Sequence, residues 1–468
     1  MAREMKQRYH LEADRGLLND PNGLAYFHGK YYIFFQWNRF EKNHSYKEWG
    51  GFVSEDLIHW NFHESAIIPD QPYDIHGVYS GSGYVIQDKL YLFYTGNCKT
   101  DGRRKSTQCL AVTEDGRRYL KKGPVLKTPE EYTEHFRDPN VFQAKNKTYF
   151  MVIGAQRKNG KGALALCRSE DGETWKYSNM LATSEEYEMI ECPDLFELDG
   201  QYVLLYNPQS RDNVKDETLF SFSVYKLQQF DETAGSFVET NLDTGYTRMD
   251  YGFDFYSPQT LLDSRGRRIL VAWMSRMEAD QEEVFAKDQP NIHCMTMPRE
   301  LHLCNGKLIQ KPVEELYQLL GETVPVLQKS ETEYDACPKS RTFYMNIQDI
   351  PTQQDIEINL HSAEVLLKFD HAEKKFTLSR QNWLTHMDES KSCTVDKLRN
   401  LELWSDNSSV EIFVNDGEEV LSARIYPEET QPNICIVGID ERSGIQVNEI
   451  HSHEEEKYER QGTGKNDC

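Results

Sequence analysis

Short hydrophobic runs, rich in aromatic and β-branched residues, recur along the first two thirds of the chain, each entered through a polar turn. They are His28-Gly-Lys-Tyr-Tyr-Ile-Phe-Phe35, Asp88-Lys-Leu-Tyr-Leu-Phe-Tyr94, Asn146-Lys-Thr-Tyr-Phe-Met-Val152, Asp199-Gly-Gln-Tyr-Val-Leu-Leu205 and Arg265-Gly-Arg-Arg-Ile-Leu-Val271. Their length and turn residues predict strands entered through hairpins, and long helical periodicity is scarce. The copies recur at roughly 55–65 residues, somewhat above the ~40–50 of short-looped propeller blades. A second element follows three of them: Ser54-Glu-Asp-Leu-Ile-His-Trp60, Thr113-Glu-Asp-Gly116 and Ser169-Glu-Asp-Gly-Glu-Thr-Trp175. It predicts a turn between later strands of each unit. Five similar four-stranded units that cannot bury their faces alone predict a closed ring. The expected fold is all-β, with a five-bladed β-propeller over residues 1–310.

A shorter pattern precedes each copy: Asp20-Pro21-Asn22, Ser80-Gly81-Ser82, Asp138-Pro139-Asn140, Cys192-Pro193-Asp194 and Ser257-Pro258-Gln259. The first strand of every propeller blade lines the central axis, so equivalent positions at the strand starts converge at one mouth of the ring. Asp20, Asp138 and Glu191 are thereby expected to share a funnel although they belong to three blades. After the ring, Gln310-Lys-Pro-Val-Glu-Glu-Leu-Tyr-Gln-Leu-Leu320 predicts an amphipathic linker helix within 311–329. Alternating strands and the Asn415-Asp416-Gly417 hairpin turn then predict a β-sandwich over 330–452, followed by a polar tail at 453–468.

Composition narrows the partners. The net charge is −23, a field that disfavours nucleic acid and anionic membrane. No apolar run reaches the ~20 residues of a membrane span, and the opening residues lack the apolar stretch of a secretory signal. The ten cysteines are scattered without metal-like spacing, which fits free thiols in a reducing cytoplasm. There is no phosphate-cradling glycine loop, no HExxH and no nucleophile elbow, so no cofactor or metal is expected.

Carboxylates gathered in a cleft shift one another's proton affinity, the arrangement that glycosidic cleavage requires. One acid protonates the leaving oxygen while another attacks the anomeric carbon. The same Asp-Pro dipeptides also suit turn entry, so a structural role stays open for each aspartate. Glu191, in Tyr187-Glu-Met-Ile-Glu-Cys-Pro193, is expected in a partly apolar setting that raises its pKa. Trp37, Trp49 and Trp273 are candidates for stacking on sugars, whereas Trp60 and Trp175 read as core.

At these residues the chain resembles glycoside hydrolase family 32, the invertase, levanase and sucrose-6-phosphate hydrolase group. The matching motifs are Asn19-Asp-Pro-Asn-Gly23, Phe35-Gln36, Tyr79-Ser-Gly-Ser82, Phe136-Arg-Asp-Pro139, Glu191-Cys192-Pro-Asp194, Asp254-Phe-Tyr-Ser-Pro-Gln259 and Met297-Pro-Arg-Glu-Leu301. Val410-Glu-Ile-Phe-Val-Asn-Asp-Gly417 extends the likeness into the sandwich. The resemblance implies a nucleophilic Asp20, an acid/base Glu191 and a transition-state-stabilising Asp138. It implies that Asn19, Gln36, Ser80 and Arg137 bind fructose hydroxyls, and Tyr79 joins Trp49 and Trp273 among the sugar contacts. A cytoplasmic, retaining β-fructofuranosidase acting on sucrose or sucrose 6-phosphate is the expectation. Fructan cleavage, fructosyl transfer and an inactive sugar-binding propeller are the alternatives. Arg39, with Lys42 and Lys47 nearby, is the expected phosphate contact.

Overall fold

The computed structural model describes residues 5–100, 102–211, 219–275, 279–351, 353–427 and 432–451. The expected tail at 453–468 lies outside the described residues. Five sheets follow one another in chain order, each built on four antiparallel strands, with one further short strand added in the first, fourth and fifth. Their first strands are Gly16–Phe27, Val78–Ile86, Tyr132–Gln143, Met189–Leu198 and Tyr256–Leu262, hereafter the inner strands of blades 1 to 5. The aromatic-rich runs are the second strands, Lys30–Asn38, Lys89–Thr100, Tyr149–Arg157, Gln201–Arg211 and Arg268–Met274.

Those runs are hydrophobic on both faces because each second strand is buried on both sides. Phe34 packs towards blade 2 with Trp49, Leu92 and Tyr94, while Phe35 packs towards blade 5 with Val271 and Trp273. Phe93 turns the other way, to Phe136, Met151 and Trp175 of blade 3. The pattern repeats with Phe150, Leu204 and Tyr206 between blades 3 and 4, and with Val203, Leu205 and Leu270 between blades 4 and 5. Each such side chain contributes about 1.5–3 kcal/mol on burial. A radial aromatic layer is thus what holds blade to blade.

A second layer of contacts lies nearer the axis. In blades 1 to 4 a polar side chain two residues beyond the Asp, Ser or Cys of the repeated pattern grips the backbone of the next blade, whereas Gln259 of blade 5 donates to Gly81 O of blade 2. Asn22 accepts from Gly81 N at 3.0 Å, Ser82 from Val141 N at 3.0 Å, Asn140 from Leu195 N at 3.1 Å and Asp194 from Thr260 N at 2.7 Å. The recurring Ser/Thr-Glu-Asp turns join third and fourth strands of blades 1 to 3. There Asp56, Asp115 and Asp171 each accept two backbone N–H groups. The ring closes where Gly16-Leu17 pairs in parallel with Asn291-Ile292, which follows the helix Ala279–Asp288 inserted in blade 5.

The expected linker helix is absent as an α-helix. The last blade strand runs to Pro312, and a 3₁₀ helix of six residues, Glu314–Leu319, follows. Val313, Leu316 and Leu319 are all buried, a spacing of three that suits the 3₁₀ repeat rather than 3.6. Leu320–Thr323 and Val326–Gln328 already belong to the two sandwich sheets, so the second domain starts about ten residues earlier than expected. These sheets, of six and seven strands, close over a core that includes Phe343, Ile358, Leu367 and Leu403. Propeller and sandwich meet through buried charge. Arg299 bonds Glu411, Asp250 and Gln310, while His10 bridges Asp406 and Glu411 at 2.9 and 2.8 Å. No helix among the described residues is long and apolar enough to cross a membrane.

Candidate active site

Each inner strand breaks its pairing at the same place, and those of blades 1 and 3 break it a second time nearby. The register shifts between Asn19 and Pro21, between Tyr79 and Gly81, at Asp138-Pro139, at Cys192-Pro193 and at Ser257-Pro258. Bulges re-aim side chains, and proline is tolerated there because it has no N–H to lose from the ladder. In blades 3 to 5 the bulged residues Asp138, Cys192 and Ser257 adopt left-handed backbone, at φ 64°, 42° and 51°. Their N–H groups are taken up by side chains: Asp138 N donates to Thr95 Oγ1, Cys192 N to Asp138 Oδ2, and Ser257 N to Asn207 Oδ1.

The residue just before each bulge is Asn19, Tyr79, Arg137, Glu191 or Tyr256. Opposite them on the second strands stand Gln36, Thr95, Gly154, Asn207 and Trp273. The glycine is required: a Cβ on Gly154 would lie 2.3 Å from the Ile190 carbonyl of blade 4. These two rings of residues surround the bulged acids.

Ser80 Oγ donates to Asp20 Oδ2 at 2.8 Å and Gln36 Nε2 to the same oxygen at 3.3 Å. Among the described residues Oδ1 accepts nothing, so one oxygen is anchored and the other is available. Glu191 is held by three donors. Arg137 reaches Oε1 through Nε at 3.2 Å and through Nη2, while Gln209 Nε2 and Tyr256 OH reach Oε2 at 2.9 and 2.6 Å. This polar setting corrects the apolar one expected for Glu191. Asp138 is buried, with Arg137 Nε 3.8 Å away. Burial pushes its carboxyl well above the ordinary range, and the charges of Glu191 and Asp20 add to the rise against the pull of Arg137.

The amides at Asp20 are oriented from one end. Lys47, fully buried, donates to Asn19 Oδ1 and to His44 Nδ1 at 2.8 Å. An ammonium has only donors, so Asn19 must turn its oxygen to Lys47. Its Nδ2 then donates to Gln36 Oε1 at 3.3 Å, which leaves Gln36 Nε2 for Asp20. Burial lowers Lys47 to about 8, with the charges of Asp20 and Glu282 opposing the fall. Glu282, on the inserted helix, holds His293 at 2.6 Å and lies 3.5 Å from His44.

The structure therefore gathers Asn19, Asp20, Gln36, Tyr79, Ser80, Arg137, Asp138, Glu191 and Trp273 around one mouth. Trp273 packs edge-on to Tyr256 and His44. Trp49 stands apart: it is fully buried behind the inner strand, and its Nε1 holds the Tyr79 carbonyl at 3.1 Å. Trp37 is likewise core and donates to Arg15 O at 2.9 Å. The expected phosphate contact also fails, because the Arg39 guanidinium is spent on buried Glu48, with Nε at 2.6 Å. Lys42 is bound to the Gln289 carbonyl at 2.8 Å. The sequence motifs assign no role to Tyr256 or Gln209. The fivefold register would have found Tyr256, since it holds the position occupied by Glu191 in the preceding blade.

Comparison with known proteins identifies the family. Residues 10–312 match the glycosyl hydrolases family 32 N-terminal domain and residues 322–452 match the family 32 C-terminal domain. The chain is 39% identical to a sucrose-6-phosphate hydrolase of Bacillus subtilis, over 90% of this chain and 89% of that one. It is 35% identical to one from Vibrio alginolyticus, over 92% and 88%. Among solved structures it is similar to a sucrose-6-phosphate hydrolase from Lactobacillus gasseri, with a TM-score of 0.84 at 25% identity over 96% and 93% of the chains. A Bombyx mori GH32 beta-fructofuranosidase gives a TM-score of 0.82 at 27% identity over 96% and 94%. The chain belongs to glycoside hydrolase family 32.

Proposed function

We propose that this protein is a retaining β-fructofuranosidase that hydrolyses sucrose 6-phosphate or sucrose. The observation that carries the proposal is the division of labour among three acids from three blades. Asp20 keeps one oxygen anchored by Ser80 and Gln36 and presents the other, as a nucleophile must. It attacks the anomeric carbon of the fructosyl unit while Glu191 gives its proton to the departing oxygen. In the second step Glu191, again a carboxylate held by Arg137, Gln209 and Tyr256, takes a proton from water, which attacks the same carbon and frees Asp20. Asp138 places a buried charge beside the oxocarbenium-like transition state, where low dielectric makes it effective. Three carboxyls against the one guanidinium of Arg137 favour retention of a proton among them, and that proton is what the first step consumes. A cytoplasmic location belongs to the same proposal; it fits the scattered free thiols and a phosphorylated sugar as substrate.

The test compares kcat/KM on sucrose 6-phosphate, sucrose and a short inulin-type oligomer. Turnover of either disaccharide in preference to the oligomer supports the proposal. Preference for the oligomer makes the protein a fructan hydrolase, and release of no sugar from any of the three overturns catalysis altogether.

A further inference from the structure

The second and third strands of blade 2 run past their own sheet. Pairing continues from Asn97–Ser106 to Thr100–Arg103, whereas the inner strand stops at Val78 opposite Gly96 and the outer strand at Lys127 opposite Thr107. This hairpin, tied at its base to His76 and Gly77, projects from the end of the blade that carries Tyr79 and Ser80, so it overhangs the mouth of the site.

Its inward face is set by the two-residue repeat of a strand. Gln108 donates to Phe136 O at 3.0 Å and Ser106 to Glu134 O at 2.9 Å, both on the inner strand of blade 3. Arg104 is the next position on that face. Its guanidinium carbon stands 5.6 Å from the centre of the Tyr79 ring. His135 of blade 3 feels the charge of Arg104: burial and the positive charges of Arg137 and Arg104 hold its ring down to about 4. His135 Nδ1 lies 3.0 Å from Arg137 Nη1, and Arg137 in turn binds Glu191. Arg104 therefore stands over the gap between blades 2 and 3, one residue outward from the pair that holds the acid/base. Among the described residues its side chain makes no hydrogen bond or ion pair, unlike those of Arg39, Lys42, Lys47 and Arg137. A bare guanidinium at an acidic mouth lacks an anion.

The acid that protonates the leaving oxygen must touch it, so the leaving sugar lies on the Glu191 side, away from Asn19 and Gln36. We propose that Arg104 receives the phosphate dianion carried by the leaving hexose, and that the blade 2 hairpin, not Arg39, selects a phosphorylated substrate. A planar guanidinium with several free N–H groups suits bidentate binding of phosphate. The inference rests on the fructosidase reading above and adds to it the residue that chooses between its two substrates.

The experiment measures kcat/KM on sucrose 6-phosphate and on sucrose for the natural enzyme, Arg104→Gln and Arg104→Lys. Arg104→Gln is expected to lower the ratio of the two values roughly 10- to 100-fold, the size of charge-assisted hydrogen bonds lost. Arg104→Lys, which keeps the charge but not the fork, should recover part of that ratio. An equal fall on both substrates would overturn the inference and leave Arg104 as a support for Tyr79. An unchanged ratio with unchanged rates would make it a solvated cation, which also overturns the inference. If the natural enzyme cleaves neither sugar, it is the fructosidase reading that fails, and this inference falls with it.

Discussion

Two clusters of buried charge lie in this protein, and they are built to opposite rules. At the seam between the domains, Asp406 and Glu411 have His10 between them and Arg299 on Glu411. Burial alone would raise both carboxyls, yet these partners hold them below their ordinary values. Burial likewise would lower His10, but Asp406 and Glu411 overcome it and raise the ring to about 9. At the axis, Asp20, Asp138 and Glu191 share the single guanidinium of Arg137, and Asp138 is driven up rather than down. The seam is matched charge, which orders the two domains. The axis is mismatched charge, which keeps a proton in circulation. Both contain arginine and carboxylate among apolar strands, so composition alone does not tell them apart; the cations bonded directly to Asp406 and Glu411, against the absence of a hydrogen bond from any cation to Asp138 among the described residues, do.

The largest expected effect separates the clusters by activity. Asp20→Asn removes the attacking oxygen and should lower kcat by at least about 10⁴-fold, because loss of a covalent nucleophile is rarely compensated. Its melting temperature should stay level or rise, since one of three crowded charges is gone. A thermal shift assay run beside the kinetics checks both, and a clear fall in melting temperature would mean that the axial charges are matched after all.

The converse holds at the seam. Glu411→Gln leaves His10 and Arg299 buried with a partner missing, which costs about 3–5 kcal/mol of stability. The rate per folded molecule should be little changed. Alkali should imitate the substitution in part. His10 is raised in the folded state, so its contribution is complete below its ordinary pKa near 6.5 and is lost as pH rises through about 9. Urea unfolding of the natural protein and Glu411→Gln at pH 7 and pH 10 should show the gap between them narrowing at the higher pH. A constant gap would remove His10 from the account.

What the sequence made legible follows from what repeats. The five hydrophobic runs and the pattern ahead of them recur in one register, so the ring and the meeting of Asp20, Asp138 and Glu191 could be read from spacing. Half of that pattern had a second meaning. The polar residue two places on, as in Asn22 or Asp194, is a latch to the next blade rather than a site residue. Features that do not repeat were read less well. Arg39 is paired with Glu48 nine residues away across a loop, and no periodicity announces that pair. The bond from Arg299 to Glu411 spans 112 residues and two domains. Trp49 and Trp273 both sit in strands beside the site, but only the fold decides which face of each strand looks inward. The segment at 314–319 is amphipathic, but its buried positions recur every three residues, too few in number to distinguish that period from 3.6. Tyr256 is hard to single out because a phenol does not suggest acid chemistry at neutral pH, although its register matches that of Glu191.

The central claim is that the mismatched axial cluster works by double displacement through Asp20. It is tested most directly by the configuration of the first fructose released. Proton NMR recorded within seconds of adding enzyme to sucrose 6-phosphate or sucrose should show β-fructofuranose first, followed by mutarotation to the equilibrium mixture. Initial release of the α-anomer would mean that water, not Asp20, attacks the anomeric carbon, and would contradict the account.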